Sequence, residues 1–429
     1  MYKLLKLLLF IWICIYVFEG VVRYILGFVG LSVLVYLKDM IMVSIILLSL
    51  IYFVKKDQLS KAFLGLSFVL IYGLTRSIWL DINLIQALYG LNTYSTLIAG
   101  FLLAYCFLDD ERILLKIFRI VSPIVVIGLL LDLLVNLPWQ GYTYSLSGLE
   151  IEGNRDWVAG GVFQRLSGFQ RSSSESAMIL VTLIVFYLVN LIKLNKFKVS
   201  FFDGILLILS TLGVILTINK SAMLLLISLF ILVGLLYLHR KIVASEKIII
   251  SILIKVFILA NFLYGVIPLF ISILNTNSAT MNLKGFSNLV FGSFIDRMYR
   301  VWPEAFNLIE TQNHLIFGGG IGSIGVAQIY FDPLRYNPAD SVYIYILVTF
   351  GLVGCLGVVL LVLLTMTVSI NKKNTHYLLI SLIIFLCYGA TINVIETVGL
   401  STLIGILIGL FFKERKSKEE TLGKEKVSY

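Results

Sequence analysis

The chain has 429 residues, of which 59% are hydrophobic and only 14% charged, and its mean hydropathy is +0.99. That excludes a soluble enzyme of one to three domains and indicates a polytopic membrane protein. The formal net charge of +10 suits the lysine-rich cytoplasmic loops of such a protein as well as it suits nucleic acid, and the placement of the basic residues decides for the membrane.

A window of about twenty residues predicts an all-α chain with twelve spans, near 4–18, 24–54, 61–80, 84–108, 116–136, 173–193, 202–218, 221–239, 247–272, 341–370, 376–394 and 397–412. They form a single membrane domain over 1–429. The start, MYKLLKLLLFIWICIYVF, has the charged head and apolar run of a signal peptide. No small-x-small site precedes Glu19, so it reads as a retained first span. The second segment is overlong and interrupted by Lys38-Asp39, which suggests one tilted span plus an interfacial or re-entrant piece, since a charge pair is costly at mid-bilayer. Cys14, Cys106, Cys355 and Cys387 all fall in apolar runs, so neither large loop can carry a disulfide.

With Met1 cytoplasmic, the gaps on that side hold Lys55-Lys56, Arg112 with Lys116, Lys193, Lys196 and Lys198, Arg240-Lys241, Lys372-Lys373 and the charged tail 413–429. This is the positive-inside pattern. Both termini are then cytoplasmic, and two large loops, 137–172 and 275–340, face outward with the short connections at Glu19–Arg23, Asp81, Lys220 and Glu396. Of twenty-two lysines only Lys220 and Lys284 lie in outer segments, whereas eight of twelve arginines do: Arg23, Arg76, Arg155, Arg165, Arg171, Arg297, Arg300 and Arg335. Lysine suffices to hold topology against anionic lipid, but the planar arginine fork binds phosphate or carboxylate bidentately. Any one of these arginines has a solvated surface charge as its plain alternative. Together they point to an anionic ligand on the outer face.

The first loop ends in VFQRLSGFQRSSSESAMIL, with Arg165 and Arg171 just ahead of a serine-rich helix start. Ser172 to Ser174 with Glu175 is an N-cap and first-turn signature; Glu175 either complements the helix dipole or accepts a proton beside the arginines. In the second loop, SFIDRMYRVWPEAFNLIE sets Phe294, Met298, Val301, Ala305 and Leu308 on one helical face and Arg297, Arg300 and Glu304 on another. Both loops are therefore expected to carry short amphipathic helices, the second one started or kinked by Pro303. GGGIGSIG at 318–325 lacks the Lys-Ser/Thr of a phosphate-binding Walker loop, leaving close approach of a ligand or a flexible return as its uses. His314 is the one outer histidine and a candidate base. No metal-ligand spacing is present.

R-x-S-G at Arg165–Gly168, the TINKSA turn around Lys220, R-x-W-x-x-A-x-x-x-I from Arg300, HLIFGGGIG from His314 and DSVYIYILVTFGLVG from Asp340 together resemble the bacterial O-antigen polymerase and O-antigen ligase superfamily. The resemblance implies a membrane glycosyltransferase in the bacterial cytoplasmic (inner) membrane. Its substrates would be undecaprenyl-pyrophosphate-linked donor and acceptor glycans, and its products capsule, exopolysaccharide or O-antigen. Other export or chain-length proteins would be partners, with no nucleic acid, cofactor, nucleotide or metal. It further implies that outer arginines hold the pyrophosphate: Arg165 and Arg300 match the loop arginines, Arg171 and Arg297 stand beside them, and Lys220 matches an inter-span basic residue. Asp340 stands where ligases show a histidine, which favours polymerase over ligase; Asp340, His314 and Glu175 all remain eligible as the base. A lipid-linked glycan flippase is the competing class, but no internal repeat is found and the ionisable residues concentrate in the outer loops.

Overall fold

The computed structural model describes residues 2–55, 61–108, 112–146, 149–155, 158–159, 163–194, 200–243, 245–274, 286–309, 311–370 and 374–427. Lys56, Lys196, Lys198, Lys284, Lys372 and Lys373, on which part of the sidedness rests, lie outside the described residues. The chain is all-α in its apolar segments, as expected. Among the described residues six helices are long and apolar enough to cross a membrane: Ser32–Tyr52, Arg112–Leu134, Ser173–Ile192, Lys220–Lys241, Lys247–Leu274 and Val342–Thr367. Two bent pairs qualify jointly, Lys3–Val17 with Glu19–Phe28 at 82° and Leu84–Asn92 with Ser95–Phe107 at 41°. Four shorter apolar helices, Phe63–Trp79, Phe201–Leu216, Thr375–Tyr388 and Val398–Lys413, occupy further segments expected to span.

Helix Lys247–Leu274 shows why these segments belong in lipid. Ile248, Ile252, Val256, Leu259, Leu263, Ile267, Phe270 and Leu274 recur every three or four residues and are all exposed. Its buried residues include Asn261, Gly265 and Ser272. The outward stripe is thus more apolar than the inward one, the reverse of a soluble helix, and only a hydrocarbon solvent makes that arrangement favourable. The protein is an integral membrane protein.

The chain forms two compact units, each discontinuous in sequence. The first comprises residues 1–52 and 102–227. Helix Ser173–Leu194 is its most enclosed span, with 83% of its membrane window buried, and packs on Arg112–Leu134 and Phe201–Leu216. The long segment expected at 24–54 is broken: helix Glu19–Phe28 ends near Gly30, a 3-10 turn follows at Ser32–Tyr36, and the helix resumes as Leu37–Lys55. The first loop departs from expectation. Its described residues form two antiparallel hairpins, Thr143–Leu146 with Leu149–Glu152 and Val158–Ala159 with Phe163–Gln164, where short helices were expected. The alternation in TYSL and LEIE is a strand period, which explains the difference.

The second unit comprises residues 53–101 and 228–429. Its large loop carries the expected short helices, Phe286–Asp296 and Trp302–Phe306, joined by a π turn at Arg297–Val301. That turn lies directly ahead of Pro303, whose ring clashes with the carbonyl four residues back in a regular α-helix. Met298, Val301, Trp302 and Ala305 are buried, as the apolar face requires. Helix Val342–Thr367 is kinked at Gly351, where φ is 64°. A Cβ there would stand 2.4 Å from the Ile316 carbonyl oxygen, so only glycine fits.

Candidate functional site

In the first unit the turn Arg165–Gly168 is built around a buried carboxylate. Asp132 accepts the backbone N–H groups of Ser167 and Gly168, each at 2.7 Å, and a side-chain N–H of Gln140. Asn154 holds the same turn through the Ser167 hydroxyl at 3.1 Å and the Gln170 carbonyl at 2.7 Å. Glycine is required at 168, where φ is 59° and a Cβ would fall 2.9 Å from the Gly128 carbonyl carbon, and the half-buried Arg165 is set at the head of the fixed turn.

Three residues on, Ser172 caps the helix that follows by accepting the Glu175 N–H at 3.3 Å, as expected. Glu175 in turn accepts the Tyr16 hydroxyl at 2.8 Å. Asn219 donates to Ser174 Oγ at 3.2 Å and caps its own helix through Ala222 N–H, so the Lys220 turn is fastened to the Ser172–Glu175 turn. The structure therefore brings Arg165, Arg171, Glu175 and Lys220 together within one unit.

Around Arg171 charges of both signs lie close together. Buried Glu19 accepts Arg23 at 2.7 and 2.9 Å and Lys38 at 2.9 Å on both oxygens, and Asp39 and Glu175 add negative charge beside them. Arg23 also donates to Tyr144 Oη at 2.6 Å. Arg155 joins through its N–H to the Arg171 carbonyl at 2.7 Å. Among the described residues Arg171 has no carboxylate within ion-pair distance, and its Nε is buried without a hydrogen bond. Burial pushes the guanidinium down to about 10, and the charges of Arg23 and Arg155 push the same way, opposed by Glu19. A part-buried guanidinium with no direct carboxylate partner can accept an anion. Glu19 and Lys38 were not singled out in the sequence; the one trace of them was a charge pair inside an overlong apolar segment.

In the second unit Arg297 Nε donates to Asp340 at 3.1 Å, and both are part-buried. Arg300 is exposed and lays its fork on Asp296 at 2.8 and 2.9 Å, holding that carboxyl below its usual range. Ser341, not Asp340, caps helix Val342–Thr367, accepting the Tyr343 N–H at 3.3 Å. Asp340 is thus left for Arg297. His314 sits on the short helix Gln312–Phe317 with its Nδ1 buried and unpartnered.

The glycine-rich stretch is neither a ligand cradle nor a loose return. Gly319 N–H donates to Val348 O, Gly320 N–H to Thr349 O and Ile321 N–H to Gly73 O, while Ser77, Gln86 and Arg76 bind its carbonyls. The stretch ends on Glu396, which accepts the Val326 N–H at 2.9 Å. A Cβ on Gly325 would fall 2.2 Å from that carboxylate. Burial pushes the Glu396 carboxyl up to about 7 against the pull of Val326 N–H and Asn393, and the charge of Asp340 adds to the rise. No group of three or more potential metal ligands occurs among the described residues.

The O-antigen ligase family model matches residues 205–359. The match spans 155 of the 429 residues, so this part of the chain is similar to the O-antigen ligase family. No curated protein and no solved structure matches the chain significantly. The matched residues include Lys220, Arg297, Arg300, His314, the glycine-rich stretch and Asp340, whereas Arg165, Arg171, Glu175 and Glu396 lie outside them.

Proposed function

We propose that the protein polymerises a surface polysaccharide from undecaprenyl-pyrophosphate-linked repeat units on the outer face of the bacterial cytoplasmic membrane. An acceptor sugar hydroxyl attacks the anomeric carbon of the donor. The bond to the lipid pyrophosphate breaks, and the leaving group takes the electron pair. Preorganised guanidiniums stabilise the charge that develops on it. The single observation that carries this reading is the part-buried Arg171, whose Nε is buried without a hydrogen bond and which has no carboxylate within ion-pair distance among the described residues. Arg165 and Lys220, fastened to the same turns of the first unit, are proposed to serve the pyrophosphate with it. Both large loops face outward and both termini are cytoplasmic in this proposal.

Transfer of a finished glycan to a different acceptor is the second reading, favoured by the description of the matched family. Asp340, where ligases show histidine, favours polymerisation. Purified protein incubated with a lipid-linked oligosaccharide should give a ladder of products without nucleotide or metal. A single added unit on a foreign acceptor would instead mark a ligase, and unconsumed donor in both assays would refute transfer altogether.

A further inference from the structure

We propose that Asp132 is a positioning residue: its carboxylate, bonded to two backbone N–H groups, fixes the stretch of chain that separates Arg165 from Arg171 and so sets both guanidiniums before the pyrophosphate arrives. The inference rests on the transfer reaction proposed above and stays within the first unit.

The turn between the two arginines is held from several sides. Asp132 accepts the N–H groups of Ser167 and Gly168 on one carboxylate oxygen, each at 2.7 Å. The Ser167 carbonyl accepts the Ser176 hydroxyl and, at 3.1 Å, the Gln170 N–H. Trp139 Nε1 donates to the Gly168 carbonyl at 2.9 Å, the Gly20 N–H to the Phe169 carbonyl at 2.9 Å, and Asn154 to the Gln170 carbonyl at 2.7 Å. These partners come from helix Glu19–Phe28, the end of helix Arg112–Leu134, the first loop and the start of helix Ser173–Leu194. Gln140 donates to the second Asp132 oxygen while accepting the Leu137 N–H at 3.0 Å, which orients the carboxylate.

Asp132 is the member of this clamp that the helix carrying it tolerates least. It is buried in the last turn of a membrane-spanning helix, where the negative end of the helix dipole disfavours a carboxylate and lipid makes any charge expensive. A neutral hydroxyl could accept the same two N–H groups without that charge. The carboxylate instead makes charge-assisted bonds, roughly twice as strong as neutral ones. Such stiffness is of use where guanidiniums have to meet a developing anion without rearranging.

The plain alternative is that Asp132 only stabilises the fold. Asp132→Glu keeps the charge and the acceptors but displaces them by one methylene. A misplacement of about 1 Å costs about 100-fold in rate, so Asp132→Glu should lose about that factor in ladder turnover per folded molecule. Undecaprenyl pyrophosphate should raise the melting temperature of the parent and not that of Asp132→Glu. Asp132→Asn combined with Gln140→Glu exchanges the two partners: the amide oxygen accepts the turn N–H groups and the amide N–H donates to the new carboxylate. With the geometry kept, the double variant should stay within about tenfold of the parent and respond to the lipid. A purely structural role would move melting temperatures and leave turnover per folded molecule alone. If Asp132→Glu does not fold, Trp139→Phe decides, since it releases the Gly168 carbonyl and keeps a ring beside Phe169; it should lose about tenfold. Turnover of the deciding variant within about threefold of the parent, or a folded but inactive double variant, overturns the assignment while leaving the transfer reading standing. A parent protein that consumes no lipid-linked donor overturns the transfer reading itself, and this assignment with it.

Discussion

Replacing Arg171 with methionine separates the cost of the part-buried guanidinium from its use. The pKa of Arg171 is lowered to about 10, and a shift of that size corresponds to about 3 kcal/mol against the charged form. Because the folded value lies below the unfolded one, that cost is fully present at neutral pH and is relieved only as pH rises through about 10. Methionine keeps the unbranched stem and removes the charge. Ligand-free Arg171→Met should therefore melt roughly 2–6 °C higher in detergent, by differential scanning fluorimetry across pH 6–8. Undecaprenyl pyrophosphate should stabilise the parent against heat and leave the variant unmoved, and ladder formation by the variant should fall at least about 100-fold, the loss expected when a donor to a developing oxyanion is removed. A variant that melts below the parent and still makes ladders would refute the reasoning, since Arg171 would then be paid for inside the fold and not by a ligand.

Three further outcomes follow from the geometry. Asp340→Asn removes the counter-ion of Arg297 but no helix cap, because Ser341 supplies the cap; stability in thermal melts should change by no more than about 1 kcal/mol. Gly351→Ala forces a Cβ to 2.4 Å from a backbone oxygen at φ 64°, and should lower the yield of folded protein on size-exclusion chromatography, whereas the same change at open Gly357 should not. Ser145→Cys and Leu334→Cys, both exposed, should react with a membrane-impermeant thiol reagent in intact cells. Protection of both would invert the topology.

The apolar, helical membrane character of the chain was legible because hydropathy is a sum over about twenty positions. The apolar face of 294–308 was legible because a helix repeats every 3.6 residues, and Ser172 because a cap is local. What could not be read was pairing at long separation. Glu19 with Lys38 and Asp132 with the Ser167–Gly168 N–H groups are chosen by how helices cross, not by spacing. The same holds for Arg297 with Asp340, forty-three positions apart. Asp340 looked like a base or a cap because nothing nearby in sequence announces Arg297. The glycine-rich stretch looked loose because its hydrogen-bond partners, Gly73, Ser77, Gln86, Val348 and Thr349, come from two distant segments.

That last feature limits how the protein can be recombined. A loop whose backbone is free can be exchanged between relatives as a cassette, carrying its specificity with it. Residues 318–325 cannot travel that way, because their hydrogen bonds end on residues 73–86 on one side and 348–349 on the other. A chimera that moves the second loop to alter the sugar it accepts must move those two helical segments as well, and Glu396 with them, so the smallest heritable block of specificity in this unit is four stretches of chain rather than one.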